Sequence, residues 1–270
     1  MLVTLMGTGT SHGVPVLGCS CSTCQSTDPR DTRTRSSVHV KVGATGILID
    51  TAPEFRLQAL RNRIDRVDLV LLTHHHVDHL CGFDDLRRFN ELQGGAIPVY
   101  GNPATISQVK TMFSYIFDVN GQIGGGKPAV DLHVVTGRPF WFQNLEITPI
   151  PVIHGALPVN GYRIGNFAYV TDCSTIPDSS KALLTGLECL ILGVLRFRPH
   201  PTHLNLAAAL QLIAELKPQH CLFTHICHDF KHSDSARWLP EGVALGYDGQ
   251  RVEVGDSERN EPEDARAIGP

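Results

Sequence analysis

The chemistry in this sequence is densest at Thr73-His74-His75-His76-Val77-Asp78-His79, which follows directly on the apolar run Val67-Asp68-Leu69-Val70-Leu71-Leu72. The run reads as a strand, so the histidines stand at a strand end. In extended backbone His74 and His76, two residues apart, aim their imidazoles to one side, and Asp78 and His79 follow as the chain turns. Neutral ring nitrogens gathered around a carboxylate suit a divalent metal ion. A surface histidine run or a purification tag is the plainer explanation, but this stretch is internal and an apolar strand feeds it.

A second cluster is Cys19-Ser20-Cys21-Ser22-Thr23-Cys24. The other cysteines, Cys81, Cys173, Cys189, Cys221 and Cys227, are scattered, which is not the pattern of a secreted disulfide framework. Three thiols this close can be buried small apolar groups, but their Gly, Ser and Thr neighbours favour a zinc or other thiolate site. Its fourth ligand must come from elsewhere. A polar arm without hydrophobic period follows to Ser36, so residues 16–36 read as a zinc-binding insertion.

Elements must position these groups. Residues 2–6 read as a first strand running into Gly7-Thr8-Gly9-Thr10-Ser11-His12-Gly13, whose glycines permit a close backbone approach. The loop lacks the Gly-Lys-Ser/Thr ending of a phosphate loop and the following helix of a dinucleotide fingerprint, and it reads as a rim of the site. His12 is left out of the metal count. Strands are expected at 37–42 and 46–50 around a turn at 43–46, then at 97–100, 129–135, 145–150, 161–164, 167–171, 188–195, 219–224 and 251–254. Helices are expected at 53–63, with Phe55, Leu57 and Leu60 on its apolar side, and at 83–92, 104–117, 179–184 and 205–216. Asp50, closing a strand, either orients a ligating histidine or caps the helix after it. Glycine-rich 121–128 is a loop, either over the site or a plain surface connection, and the charged segment 257–270 reads as a disordered tail. Periodicity alone gives mixed α and β, with one domain over 1–256.

Composition narrows the partners. The chain has 270 residues, 42% of them hydrophobic and 19% charged, with a formal net charge of -4. That balance fits a soluble cytoplasmic protein and argues against a generic nucleic-acid surface. No apolar stretch is long enough to span a membrane, and no leader opens the chain.

The stretch His74 to His79 resembles the His-x-His-x-Asp-His signature of the metallo-β-lactamase superfamily. The resemblance implies an αββα sandwich, with His74 and His76 on a first metal and Asp78 and His79 on a second. It further implies that His154 completes the first site and that Asp172 bridges both ions. Taken with the glycine loop, the cysteines, His203 and Thr224-His225-Ile226-Cys227-His228, the chain looks like the cyclic phosphodiesterase family of carbon-phosphorus lyase (phosphonate) metabolism, which opens phosphoribosyl 1,2-cyclic phosphate to ribose 1,5-bisphosphate. That family implies His225 as the remaining catalytic ligand, His203 as general acid, and His228 as fourth ligand of a structural zinc with Cys19, Cys21 and Cys24. Cys227 is the rival to His228.

The expected cofactors are therefore two catalytic divalent ions, zinc or manganese, and one structural zinc, and the expected partner is a small phosphodiester. A hydroxide held between the ions attacks phosphorus, with Asp78 and His203 as the catalytic side chains. Arg196 and Arg198, before His203, are the basic residues to test for holding a further substrate phosphate, the alternative being that they are simply solvated. Other readings stay open: a tRNA 3′-end endonuclease, a thioesterase or lactamase-like hydrolase, or a non-catalytic zinc-binding interaction protein. A homodimer is left open.

Overall fold

Alternation along the strands sets the layers. In β1 (Leu2–Gly7) Val3 and Leu5 enter one core while Met6 enters another; in β2 (Ser37–Val42) and β3 (Thr45–Ile49) Val38, Val40, Ile47 and Ile49 join the first and Leu48 the second. The computed structural model describes residues 1–118 and 126–255. Sheet one continues with β4 (Leu69–Leu71), β5 (Ile97–Gly101) and β6 (Val130–Val134). Sheet two is built from β7 (Phe140–Phe142), β8 (Leu145–His154), β9 (Leu157–Ile164), β10 (Phe167–Val170), β11 (Cys189–Gly193), β12 (His220–Thr224) and β13 (Val243–Leu245). Finally β14 (Arg251–Glu253) returns to pair with β1. The orders are β14-β1-β2-β3-β4-β5-β6 and β13-β12-β11-β10-β9-β8-β7.

Three apolar layers result. Leu5, Val40, Ile49, Leu71, Tyr162, Tyr169 and Ile191 lie between the sheets. Helices α1 (Phe55–Asn62), α2 (Val77–Leu80), α3 (Leu86–Gln93), α4 (Pro103–Met112) and α5 (Ser114–Phe117) contribute to the layer outside sheet one. Helices α6 (Asp178–Ala182) and α7 (Leu206–Leu216) belong to the outer side of sheet two. The arrangement is an αββα sandwich, as the resemblance implied.

Several boundaries differ from the sequence expectation for physical reasons. Strand β8 runs on to His154 through Pro149 and Pro151, because β7 covers only Leu145 to Ile147 and leaves that side open, where a missing N–H costs no ladder bond. The helix expected at 104–117 breaks at Phe113, whose ring stacks on Phe83 at 5.1 Å. In α1 the 3.6-residue period buries Phe55, Gln58, Ala59 and Asn62 and turns Leu57 and Leu60 to solvent, so those two leucines are not core. Short β7 and β13 were not expected at all. Most of the loop expected at 121–128 and all of the tail expected at 257–270 lie outside the described residues. No described helix is long and apolar enough to cross a membrane.

Candidate metal centre

Strands of both sheets end at one place, and there the backbone bends sharply. Asp50 after β3, Asp172 after β10 and His225 after β12 all have left-handed φ, 63°, 55° and 55°. Each costs on the order of 1–3 kcal/mol for a non-glycine residue, and such strain persists where packing over-determines it. The bends turn these side chains toward Thr73 to His79, between β4 and the end of α2.

Two groups form. His74, His76, His154 and Asp172 offer ligand atoms within 4.8 Å of one another, as do Asp78, His79, Asp172 and His225. Asp172 is common to both. Its Oδ2 lies 3.6 Å from His74 Nε2 and 3.3 Å from His79 Nε2, and its Oδ1 lies 3.1 Å from His225 Nε2. Asp78 Oδ2 stands 3.4 Å from both His79 Nε2 and His225 Nε2. Donor pairs on a tetrahedral ion with ~2.0–2.1 Å bonds are about 3.4 Å apart, so the spacing fits a cation between them.

Hydrogen bonding orients the lone pairs the same way. His79 Nδ1 donates to Asp50 Oδ2 at 2.8 Å, which turns Nε2 toward the Asp78 and Asp172 carboxylates. That nitrogen is buried and has no hydrogen-bond partner. A divalent cation bound there would replace the proton that these carboxylates favour on the ring. His154 Nδ1 likewise donates to the Thr202 carbonyl at 2.7 Å and keeps Nε2 free toward Asp172. Burial works against charged Asp172 and Asp78, yet the surrounding histidines hold both carboxyls well below their usual range. Burial also works against charged His79, but Asp172, Asp78 and Asp50 outweigh it and hold that imidazole well above its usual value. Burial, with the charges of His79 and His76, pushes His74 well down despite Asp172 and Asp78. The residues fit a pair of divalent cations.

Asp50 does not cap α1, whose N-cap is Glu54. Its carboxylate accepts from Thr73 N, Thr73 Oγ1 and His79 Nδ1, all at 2.8 Å. Across the sheets, Tyr162 Oη donates to the Leu72 carbonyl and Asn160 N to that of Thr73, pinning the histidine turn. Sequence reasoning missed Ser36 and Thr202. Ser36 Oγ donates to the Gly9 carbonyl at 3.0 Å and accepts the His225 N–H at 3.1 Å, supporting the bent backbone there. Thr202 acts through a backbone carbonyl, which leaves no trace in residue type.

The glycine loop approaches the chain itself. A Cβ on Gly7 would stand 2.1 Å from the Arg35 carbonyl oxygen and one on Gly9 2.7 Å from that of Arg33. The loop therefore seats the arm and the His225 segment, with Gly9 bridging to Arg35 and Ile226. Asp248, also missed, ties the two together by accepting from Thr8 and Thr34 backbone N–H and hydroxyl groups.

His203 stands beside both groups, its ring 4.6 Å from that of His154 and 4.9 Å from that of His225. Burial pushes its imidazole down to about 3 despite Asp172 nearby, so it is neutral in the free protein. Arg196, a candidate to meet substrate phosphate, donates to the carbonyls of Arg198 and Pro199.

Cys19, Cys21 and Cys24 gather round His228 Nδ1 at 3.3, 3.6 and 3.4 Å. Sulfur and nitrogen on one tetrahedral zinc are about 3.6 Å apart, from ~2.3 and ~2.0–2.1 Å bonds. Backbone N–H groups of Cys24 and Val16 point at the sulfurs of Cys21 and Cys24. The Cys24 N–H lowers the Cys21 thiol to about 7, while burial raises Cys24 to about 11. Cys227 stands outside the group, its sulfur accepting the Asp229 N–H. The arm beyond is anchored by buried Arg33, which reaches Asp31 and the carbonyls of Cys227 and Phe230.

The Beta-lactamase superfamily domain matches residues 45–226. A solved structure described as a new diphosphatase from the PhnP family is 42% identical, with a TM-score of 0.87 over 94% of this chain and 98% of that one. An octanoyltransferase of Porphyromonas gingivalis is 36% identical over 249 residues, 91% of this chain but only 50% of that protein. A ribonuclease Z of Bradyrhizobium is 31% identical over 115 residues, 41% of this chain and 36% of that one. The chain thus spans about half, or less, of those two relatives. Both the domain match and the near-complete overlap with a PhnP-family structure lead to one conclusion: this chain belongs to the metallo-β-lactamase superfamily, and within it to the PhnP family.

Proposed function

We infer that this chain is a phosphodiesterase that hydrolyses a small cyclic phosphodiester, with phosphoribosyl 1,2-cyclic phosphate as the leading substrate, and that it works with a pair of divalent cations. The observation that supports this best is the pair of ligand groups sharing Asp172 with His203 beside both. His74, His76, His154 and Asp172 would hold one ion; Asp78, His79, Asp172 and His225 the other. Zinc or manganese there supplies Lewis acidity, making water a nucleophile near neutral pH and offsetting charge on the phosphoryl oxygens.

The chain's own residues do the rest. Asp50 and the Thr202 carbonyl fix the tautomers of His79 and His154. Asp78 turns Oδ2 to His79 and His225, leaving Oδ1 to accept a hydrogen bond from the attacking water and aim it. His203, neutral when free, gains a proton as an anionic phosphoryl group arrives and delivers it from its ring N–H to the leaving oxygen. The thiolate cluster would hold a structural zinc, closed to water by its four ligands.

The test is a metal-analysed protein assayed against cyclic and linear phosphodiesters, a diphosphate, precursor tRNA and a thioester. The small cyclic diester should be turned over fastest, and a preference for precursor tRNA or thioester sinks the reading. The 42% identical diphosphatase favours a second reading, cleavage of a diphosphate by the same groups. A phosphate leaving group needs little protonation, so in that case loss of His203 would matter little.

A further inference from the structure

Between β8 and β9 the chain reverses through Gly155 and Ala156, with His154 paired to Leu157 across the turn. Gly155 has a left-handed φ of 63°, which suits glycine at the first place of a two-residue hairpin turn. Backbone freedom is only half of its use. A Cβ at Gly155 would stand 2.8 Å from Thr202 Cγ2 and 3.5 Å from Thr202 Cβ. Ordinary carbon contacts lie at about 3.5–4.0 Å, so the hairpin and the loop before α7 meet where a side chain is missing.

Thr202 is not free to turn its methyl away. Its N–H donates to His200 Nδ1 at 3.3 Å and its hydroxyl lies 3.2 Å from the same nitrogen, so rotating the side chain breaks that contact. Its carbonyl accepts the His154 Nδ1–H at 2.7 Å. That carbonyl belongs to the peptide joining Thr202 to His203, and a peptide unit is planar, so the group that orients His154 also sets the plane from which the His203 backbone departs. The two rings stand 4.6 Å apart. Both segments are tied to the chain just after Asp172: the Gly155 N–H donates to Ser174 Oγ at 3.1 Å and the Leu204 N–H to the Cys173 carbonyl at 2.8 Å.

We propose that Gly155 is a positioning residue for two groups at once: by leaving room for Thr202 it lets one peptide unit fix His154 for the first ion and His203 beside it. A side chain at 155 would push Thr202 back, lengthen its hydrogen bond to His154 and carry His203 with it. The His203 half rests on the phosphodiesterase reading above; the His154 half rests on the metal centre alone.

The test is Gly155→Ala in the metal-loaded protein, made alone and together with Thr202→Ser, which removes Cγ2 and keeps the hydroxyl and the carbonyl. Backbone strain at residue 155 is the same in both, so relief of the contact is what separates them. Gly186→Ala is the control for strain, because Gly186 has a φ of 68° with open space around it. Gly155→Ala should lose about tenfold or more in affinity for one catalytic ion by chelator competition, and the His154 Nδ1 proton should exchange faster by NMR. Its kcat should fall roughly tenfold further on alkyl diesters than on activated aryl diesters. Adding Thr202→Ser should restore most of each loss, measured against Thr202→Ser alone, and Gly186→Ala should show none of them. Metal loss without rescue, or matched by Gly186→Ala, overturns the proposal; equal losses on the two diester types overturn its His203 half. If metal affinity and its rescue are as expected but the unaltered protein turns over no diester, the phosphodiesterase reading fails and the His154 half stands. Should Gly155→Ala not fold, a folded double variant with near-normal metal affinity upholds the contact, and failure of both while Gly186→Ala folds overturns it.

Discussion

The histidine–aspartate cluster and the thiolate cluster end on the same short segment, His225 to His228, yet they are built in opposite ways. The first takes its ligands from strand ends in both sheets, buries most of them, and orients two of its rings by hydrogen bonds donated to the Asp50 carboxylate and the Thr202 carbonyl. The second sits on a loop, half open to solvent, with backbone N–H groups as its outer support. Carboxylates and imidazoles suit an ion that must keep a place for water; three thiolates and one imidazole close a tetrahedron. Strain is concentrated accordingly. The left-handed bends at Asp50, Asp172 and His225 belong to the first site, and none of Cys19, Cys21, Cys24 or His228 has positive φ. Rigid strand ends thus carry the chemistry, while the loop site holds the His225 segment against the glycine loop.

The sharpest way to break this comparison is Asp172→Ala. Loss of the carboxylate common to both groups should lower activity by roughly 10⁴-fold and empty the catalytic pair, while thiolate-bound zinc remains by metal analysis. Retained activity with one catalytic ion would mean the groups do not act together. His203→Ala should cost about 10²-fold or more on alkyl diesters and much less on activated aryl diesters, with metal content unchanged. Equal losses on both would remove the general-acid role.

Smaller effects test the supports. Asp50→Asn keeps the shape but weakens the acceptor for His79, and a 10- to 100-fold loss in catalytic metal affinity or activity is expected, read by metal titration. Cys21→Ser inverts the pattern: Tm should fall by roughly 5–10 °C, the few kcal/mol of a lost structural ion, with zinc content down by one and the catalytic pair at least partly loaded. Full zinc retention in that variant would dissolve the distinction. The smallest effect lies in the arm. Hydrogen bonds from Arg30 lower the Asp28 carboxyl to about 2, so this tie favours the fold above the ordinary carboxylate value near 4 and is lost as pH falls through about 2. Arg30→Ala should return the Asp28 midpoint, followed by carboxyl NMR, to its ordinary value with little change in Tm.

What the sequence determined by itself was local. His74 to His79 lie within one strand end and one turn, so residue type and a period of two already place them together, and the same holds for Cys19 to Cys24. Most strands were legible because one face of each is apolar, and the fold class followed from the superfamily resemblance. Boundaries slipped where partners decide them: β8 extends past its prolines because its other side is open, and the helix after Pro103 breaks where Phe113 meets Phe83. The meeting of His154, Asp172 and His225 with the turn was legible only through family resemblance, since residues so distant in sequence meet only when two sheets stack. Tertiary structure alone decided that Asp50 orients His79 and does not cap α1, that the glycines of residues 7–13 make room for the arm, and that Thr202 and Ser36 support ligands. Those roles rest on backbone carbonyls, N–H groups and close approaches, whose partners are set by the folded chain and have no residue code.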